Sequence, residues 1–241
     1  MPDGRLLFAH YALMPNRLGY CGGSDSQTLF DYCVAHESDA GMDSLIHQFQ
    51  AAYPYLKFIA QSNGIADPLD PRVVEAYWLG NDLLARVTMI DFHNYLKEQI
   101  GPRVPEKALR HLIGKAPAGA RPHHSFHVLD VSMRTGALRE SLDDLDRCRI
   151  SWAAVRNVDG DSLMVSHQPL VFDQGKLSLG GPEDRRVSYQ VHGRGYLTTP
   201  QPGDVVAVHW DWVCDVLTPD KAAALELQTR YHLAIANQTL W

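Results

Sequence analysis

The stretch Cys148-Arg149-Ile150-Ser151-Trp152-Ala153-Ala154-Val155-Arg156-Asn157-Val158-Asp159-Gly160 puts a cysteine just ahead of a β-type segment that closes on an Asp-Gly turn. Asp-Gly is among the strongest short-range hairpin signals, because both residues tolerate positive φ. Further on, Pro202-Gly203-Asp204-Val205-Val206-Ala207-Val208-His209 reads as a turn, a strand and a histidine able to fold back toward Cys148. A thiolate and an imidazole brought together make a soft site suited to iron or zinc.

The periodicity changes around this stretch. Downstream, Leu163 to Phe172, Lys176 to Leu179, Arg186 to Val191 and Val205 to Leu217 are short, β-branched or alternating, and are separated by Gly, Pro and Asp. Such spacing predicts a small barrel. Thr218-Pro219-Asp220 then opens a closing helix that runs to Asn237. Upstream, Met42 to Leu145 reads as helical. Asp43 caps a segment with apolar residues from Leu45 to Leu56, stopped at Asn63-Gly64, and Asp70-Pro71 starts a helix carrying Val74, Tyr77, Trp78 and Leu84. Further helices run through Ile90 and Leu96 to Gly101-Pro102, and from Pro105 through Leu112. Phe8 to Leu18, which contains Met14-Pro15-Asn16-Arg17, reads as a loop. The fold class is therefore α+β: a mainly helical domain over residues 1–146 and a β-barrel domain with a closing helix over 147–241.

The bulk numbers narrow the function classes. A chain of 241 residues has ample core for one large or two small domains. The formal charge of -6 argues against a general nucleic-acid binder, which needs a basic face. No apolar run approaches a membrane span, the N-terminus lacks signal-peptide shape, and four cysteines do not form a disulfide framework. The expectation is a cytoplasmic protein with reduced thiols. Twelve histidines is a high count and favours a metal or proton-handling site.

On these motifs the C-terminal half resembles the HypC/HupF family of [NiFe]-hydrogenase maturation chaperones. Cys148 stands at the family's cysteine, Asp159-Gly160 at its turn, Gly203 to His209 at its Gly-Asp-hydrophobic-Val-His strand, and Leu217 to Asn237 at its closing helix. The resemblance covers residues 147 to 237 and implies a small OB-like barrel. It also implies that Cys148 and His209 bind iron as an Fe(CN)2(CO) unit, and that the protein partners a hydrogenase large subunit or maturation proteins. The chain departs from the family in having its cysteine internal, Trp152-Ala153 in place of Pro-Gly, and a longer segment between Ser166 and Thr199.

Other candidate ligands lie outside these motifs. In Pro122-His123-His124-Ser125-Phe126-His127, a helix would put His124 and His127 on one face as a metal pair, whereas a polar loop would separate them. Cys21, in the glycine-flanked Gly19-Tyr20-Cys21-Gly22-Gly23, is either a reactive thiol or metal ligand or an incidental small side chain in a tight turn. Cys33 reads as core. If the strand continues through His209-Trp210-Asp211-Trp212-Val213-Cys214, alternation puts Asp211 beside His209 as its orienting carboxylate, and Trp212 and Cys214 on the opposite face. Arg147 and Arg149 favour the Cys148 thiolate, while Asp143, Asp144 and Asp146 oppose it. The alternatives to a hydrogenase accessory protein are a Cys/His metal enzyme acting on a small molecule and a purely structural interaction module.

Overall fold

Aspartates start four of the helices in the N-terminal half. Asp3 accepts from the Arg5 N–H and opens α1 (Gly4–Arg17), Asp25 opens α2 (Ser26–Ala35) and Asp39 opens α3 (Ala40–Ile46). Each supplies a carboxylate to amides that the first turn leaves without partners. The helix expected from Asp43 through Leu56 is two helices, α3 and α4 (Tyr53–Ser62), the first capped by Asp39. The apolar spacing spans the break because each helix buries its own face, α3 against α1 and α2, and α4 against the helix Pro71–Trp78. Asn63 ends α4 and Gly64 follows at φ 66°, as expected. Asp70 caps α5 (Pro71–Trp78), but Leu84 lies beyond it in the 3-10 turn Asp82–Arg86. Then follow α6 (Met89–Tyr95), continued by a π-type turn to Ile100, and α7 (Glu106–Ile113).

The computed structural model describes residues 3–135 and 141–238. The helical stretch predicted to run to Leu145 crosses 136–140, outside the described residues. On either side lie α8 (His124–Phe126), which passes through the π-type turn His127–Ser132 into α9 (Met133–Thr135), and α10 (Leu142–Cys148).

Residues 8–18 are not a loop but the body of α1. Leu7, Phe8, Tyr11 and Ala12 are buried at helical spacing, and Pro15 is tolerated because only two helical residues follow it. This helix packs on α2, α3 and α5 and also on the C-terminal sheet.

The C-terminal half contains β1 (Ser151–Asp159), β2 (Ser162–His167), β3 (Leu170–Asp173), β4 (Lys176–Leu179), β5 (Glu183–Ser188), β6 (Val205–His209) and β7 (Trp212–Val216). It ends in α11 (Pro219–Ala236), capped by Thr218. Five strands form one sheet whose pairings run in a ring, β1-β2-β5-β7-β6, with β6 returning to β1. The β5–β7 link is a single register pair, Ser188 with Trp212. Two predicted strands are each two. Leu163 to Phe172 breaks at Gln168-Pro169, and Val205 to Leu217 breaks at Trp210-Asp211, where both residues have positive φ of 53° and 58°. The extra length between Ser166 and Thr199 holds the separate β3–β4 hairpin, which packs on α10 and α11.

Period-two alternation divides the sheet. Ala153, Val155, Leu163, Val165, Val206 and Val208 fill its interior. Ala207, Trp212 and Cys214 instead join the largest apolar cluster, which continues through Tyr11, Leu29, Tyr77 and Trp78 of the helices. The two halves therefore share a core across residue 147. No helix among the described residues is long and apolar enough to cross a membrane.

Candidate metal centre

His209 is the last residue of β6 and lies on the sheet's outer face, toward the helices. Because Trp210 and Asp211 form a two-residue turn, His209 pairs directly with Trp212 across the hairpin. The expected alternation through this segment therefore fails: a hairpin puts paired residues on the same face, so His209 shares its face with Trp212. Trp210 holds its left-handed backbone by stacking on Tyr20 at 4.1 Å and donating its N–H to the Arg147 carbonyl at 2.8 Å. Nor does Asp211 orient His209. Its carboxylate pairs with Arg147 and Arg185, each at 2.6 Å.

A backbone carbonyl orients His209 instead. Its Nδ1 lies 2.7 Å from the Tyr11 oxygen. In an α-helix that oxygen accepts from the N–H four residues on, and here that residue is Pro15, which has none. The proline thus frees a carbonyl inside α1, and the imidazole uses it. Only the Nδ1–H tautomer can donate there, so the lone pair falls on Nε2. Nε2 is buried and, among the described residues, has no hydrogen-bond partner.

His124 is held in the mirror sense. Its Nε2 lies 2.8 Å from the Cys148 carbonyl, so Nε2 carries the proton and Nδ1 the lone pair, 3.4 Å from the Tyr77 hydroxyl. The two rings stand edge to face with centroids 5.1 Å apart. Cys148, at the end of α10, brings its sulfur to them. One donor atom each from His124, Cys148 and His209 lie within 4.8 Å of one another. Burial pushes His209 down to about 4 and His124 well below its ordinary value, so both are neutral ligands at neutral pH. Burial also pushes the Cys148 thiol far up, and nearby Cys21 adds to this, so the thiolate needs a cation to form.

The flanking arginines do not activate Cys148, because carboxylates already hold them. Arg147 pairs with Asp143 and Asp211, and buried Arg149 pairs with Asp146. Asp146 also accepts from the Leu170 N–H at 2.8 Å and pairs with Arg185 at 3.0 Å. Of the three aspartates ahead of Cys148, Asp146 is a rung of a ladder, Arg149-Asp146-Arg185-Asp211-Arg147, that fixes the backbone on both sides of the cysteine.

A cavity of about 130 Å³ opens onto the three donors, walled by Pro15, Ala52, Tyr77 and Trp78. His127 and Cys21 line it too but stand outside the cluster. His127 opens the π-type turn and sets its ring edge-on to Tyr55, 5.7 Å away, so the i,i+3 histidines do not converge on one ion. Cys33 is fully buried core, as expected.

The donor set fits a transition metal. One sulfur and two neutral imidazoles with fixed tautomers leave a position open to a cavity, as in sites that exchange a ligand. The molecule is thus a mixed α+β protein with a buried Cys/His donor cluster between its helical layer and its sheet. It belongs to the Family of unknown function (DUF6390), whose model matches residues 1–241. No curated protein and no solved structure matches it.

Proposed function

We propose that the protein is a metal-holding accessory factor of the kind the HypC/HupF resemblance implies. Its five-stranded sheet would be the barrel of that family. Cys148, His209 and His124 would hold iron, or an Fe(CN)2(CO)-type fragment, for a hydrogenase large subunit or maturation partner. One observation carries this reading: the two residues that define the resemblance, Cys148 and His209, are 61 positions apart (209 − 148) yet offer donors within 4.8 Å. Thiolate would be the only anionic donor and the strongest one, with the imidazoles completing a soft site. His124 comes from outside the resembling segment, so the helical half supplies a ligand as well as a cover.

The cavity favours a second reading, a Cys/His metal enzyme acting on a small molecule held against Pro15, Ala52 and Trp78. One experiment separates them. Protein purified without oxygen is assayed for iron and for bands of metal-bound CO and cyanide in the infrared, with hydrogenase large-subunit precursor as bait. Iron with those bands and capture by the precursor, both lost in Cys148→Ala, is the expected result. Metal with neither bands nor capture turns the assignment to the enzyme.

A further inference from the structure

The cavity over the three donors contains a second thiol with no role in the cluster. Cys21 lines the same walls as His124, Cys148 and His209. Its loop is rigid. Asn16 Nδ2 donates to the carbonyls of both Cys21, at 2.9 Å, and Gly23, at 2.6 Å. Gly22 sits at φ 80°, where a Cβ would fall 2.6 Å from that same nitrogen and 2.7 Å from the Phe49 ring. Only glycine serves there, so the backbone is fixed and the side-chain torsion of Cys21 remains the free variable. The same cavity is lined by His209, a residue 1% exposed whose Nε2 makes no hydrogen bond to a side chain among the described residues.

Resting on the reading of the cluster as a metal centre, we propose that Cys21 is its fourth ligand. Rotation about its Cα–Cβ bond carries the sulfur from the cavity wall to the open position. The result is a closed Cys2His2 shell, the tetrahedral set of a metal kept from exchange. A small ligand entering the cavity takes the same position, and Cys21 returns to the wall. Binding a divalent ion then converts two thiols to thiolates and releases two protons to solvent, where the three-donor cluster alone would release one. His127, the other unused donor on the cavity, sets its ring edge-on to Tyr55 outside the cluster and serves as the control.

Cobalt(II) added to the full-length apoprotein tests this, in the parent chain and in Cys21→Ser, Cys21→Ala and His127→Gln, with circular dichroism checking each fold. The parent should show about twice the sulfur-to-cobalt charge-transfer absorbance of either Cys21 variant, and about two protons released per ion against about one. Added imidazole should shift the visible bands of the Cys21 variants at a concentration at least about tenfold lower, because their fourth position is open. His127→Gln should match the parent. Equal absorbance and equal proton release, with cobalt bound by all four proteins, overturns the fourth-ligand proposal and leaves the three-donor centre standing. A parent chain that takes up no cobalt overturns both.

Discussion

The imidazole of His209 donates through Nδ1 to the carbonyl of Tyr11, 2.7 Å away across 198 residues of sequence. That carbonyl is free because Pro15 stands four residues on. Pro15→Ala restores the missing amide, which then competes with His209 for one acceptor. The expected outcome is a helix at least as stable as the parent's and a metal affinity about 10-fold lower, the lower end of what loss of a ligand's orienting partner costs. Thermal melts and competitive metal titration measure the two quantities separately. Unchanged affinity would mean that the carbonyl does not govern the ring.

Cys148→Ala and His209→Ala should both lose metal but differ in stability. The cysteine is only partly buried, so its truncation costs about 1 kcal/mol. The histidine is 1% exposed, and its loss leaves both a cavity and an unpaired Tyr11 carbonyl, for about 2–4 kcal/mol. Urea melts rank the two. A Cys148→Ala protein that melts far below His209→Ala would make the cysteine structural.

Asp146 is the rung that three groups share. Asp146→Ala strands the buried guanidinium of Arg149 and unties Arg185 and the Leu170 amide, a loss of about 3–5 kcal/mol. Asp143→Ala, which removes an exposed partner of Arg147, should cost no more than about 0.5 kcal/mol. Equal losses from the two would show that the ladder is not what holds the segment around Cys148.

Acid should unfold the protein steeply. Burial lowers His10 to about 3 and His127, His209 and His232 to about 4. These groups stay neutral in the folded chain while the unfolded chain takes up protons from about 6.5 downward. Stability is therefore full above about pH 6.5 and falls as pH drops through about 4, with His10 still contributing down to about 3. These four groups alone contribute a slope of up to about 5 kcal/mol per pH unit, to which buried His123 and His124 add. Chemical denaturation at half-unit steps between pH 7 and 4 checks the window, and a flat profile would refute the neutral assignment of the rings.

A fragment of residues 145–241 should not behave as an independent barrel. It would expose Ala207, Trp212, Cys214 and Leu217, which belong to the core shared with the helices. Aggregation, or dye binding typical of exposed apolar surface, is the expected result. A monomeric fragment with a cooperative melt would show that the sheet folds without its cover.

Much of the fold was legible because it rests on local rules. The Asp70 and Thr218 caps, the Asn63-Gly64 stop and the Lys176 to Leu179 strand follow from which residues supply caps, breaks and alternation. Where two rules met, the local reading failed. Pro15 looked like a loop signal, yet near a helix end its missing amide costs little. Trp210-Asp211 looked like continuing strand, since neither residue announces a left-handed turn; stacking on Tyr20 and ion pairs to two arginines supply what glycine usually would. Of the site, Cys148, His209 and His124 were all nameable from residue type and spacing. The Tyr11 carbonyl was not, because a backbone acceptor leaves no mark in composition. The apolar walls at Tyr77 and Trp78 read only as one helix's buried face.

The reach from Tyr11 to His209 also sets an order of events. The ribosome makes the carbonyl 198 residues before the imidazole, with His124 and Cys148 between them. Long-range pairings of this kind close late. While the chain is being made, His124 and Cys148 are present without their third companion, and the orienting oxygen has nothing to hold. An ion taken up by all three donors would therefore meet them only after residue 209 has been made, so what surrounds the chain then, rather than what its first half meets earlier, would decide the occupant.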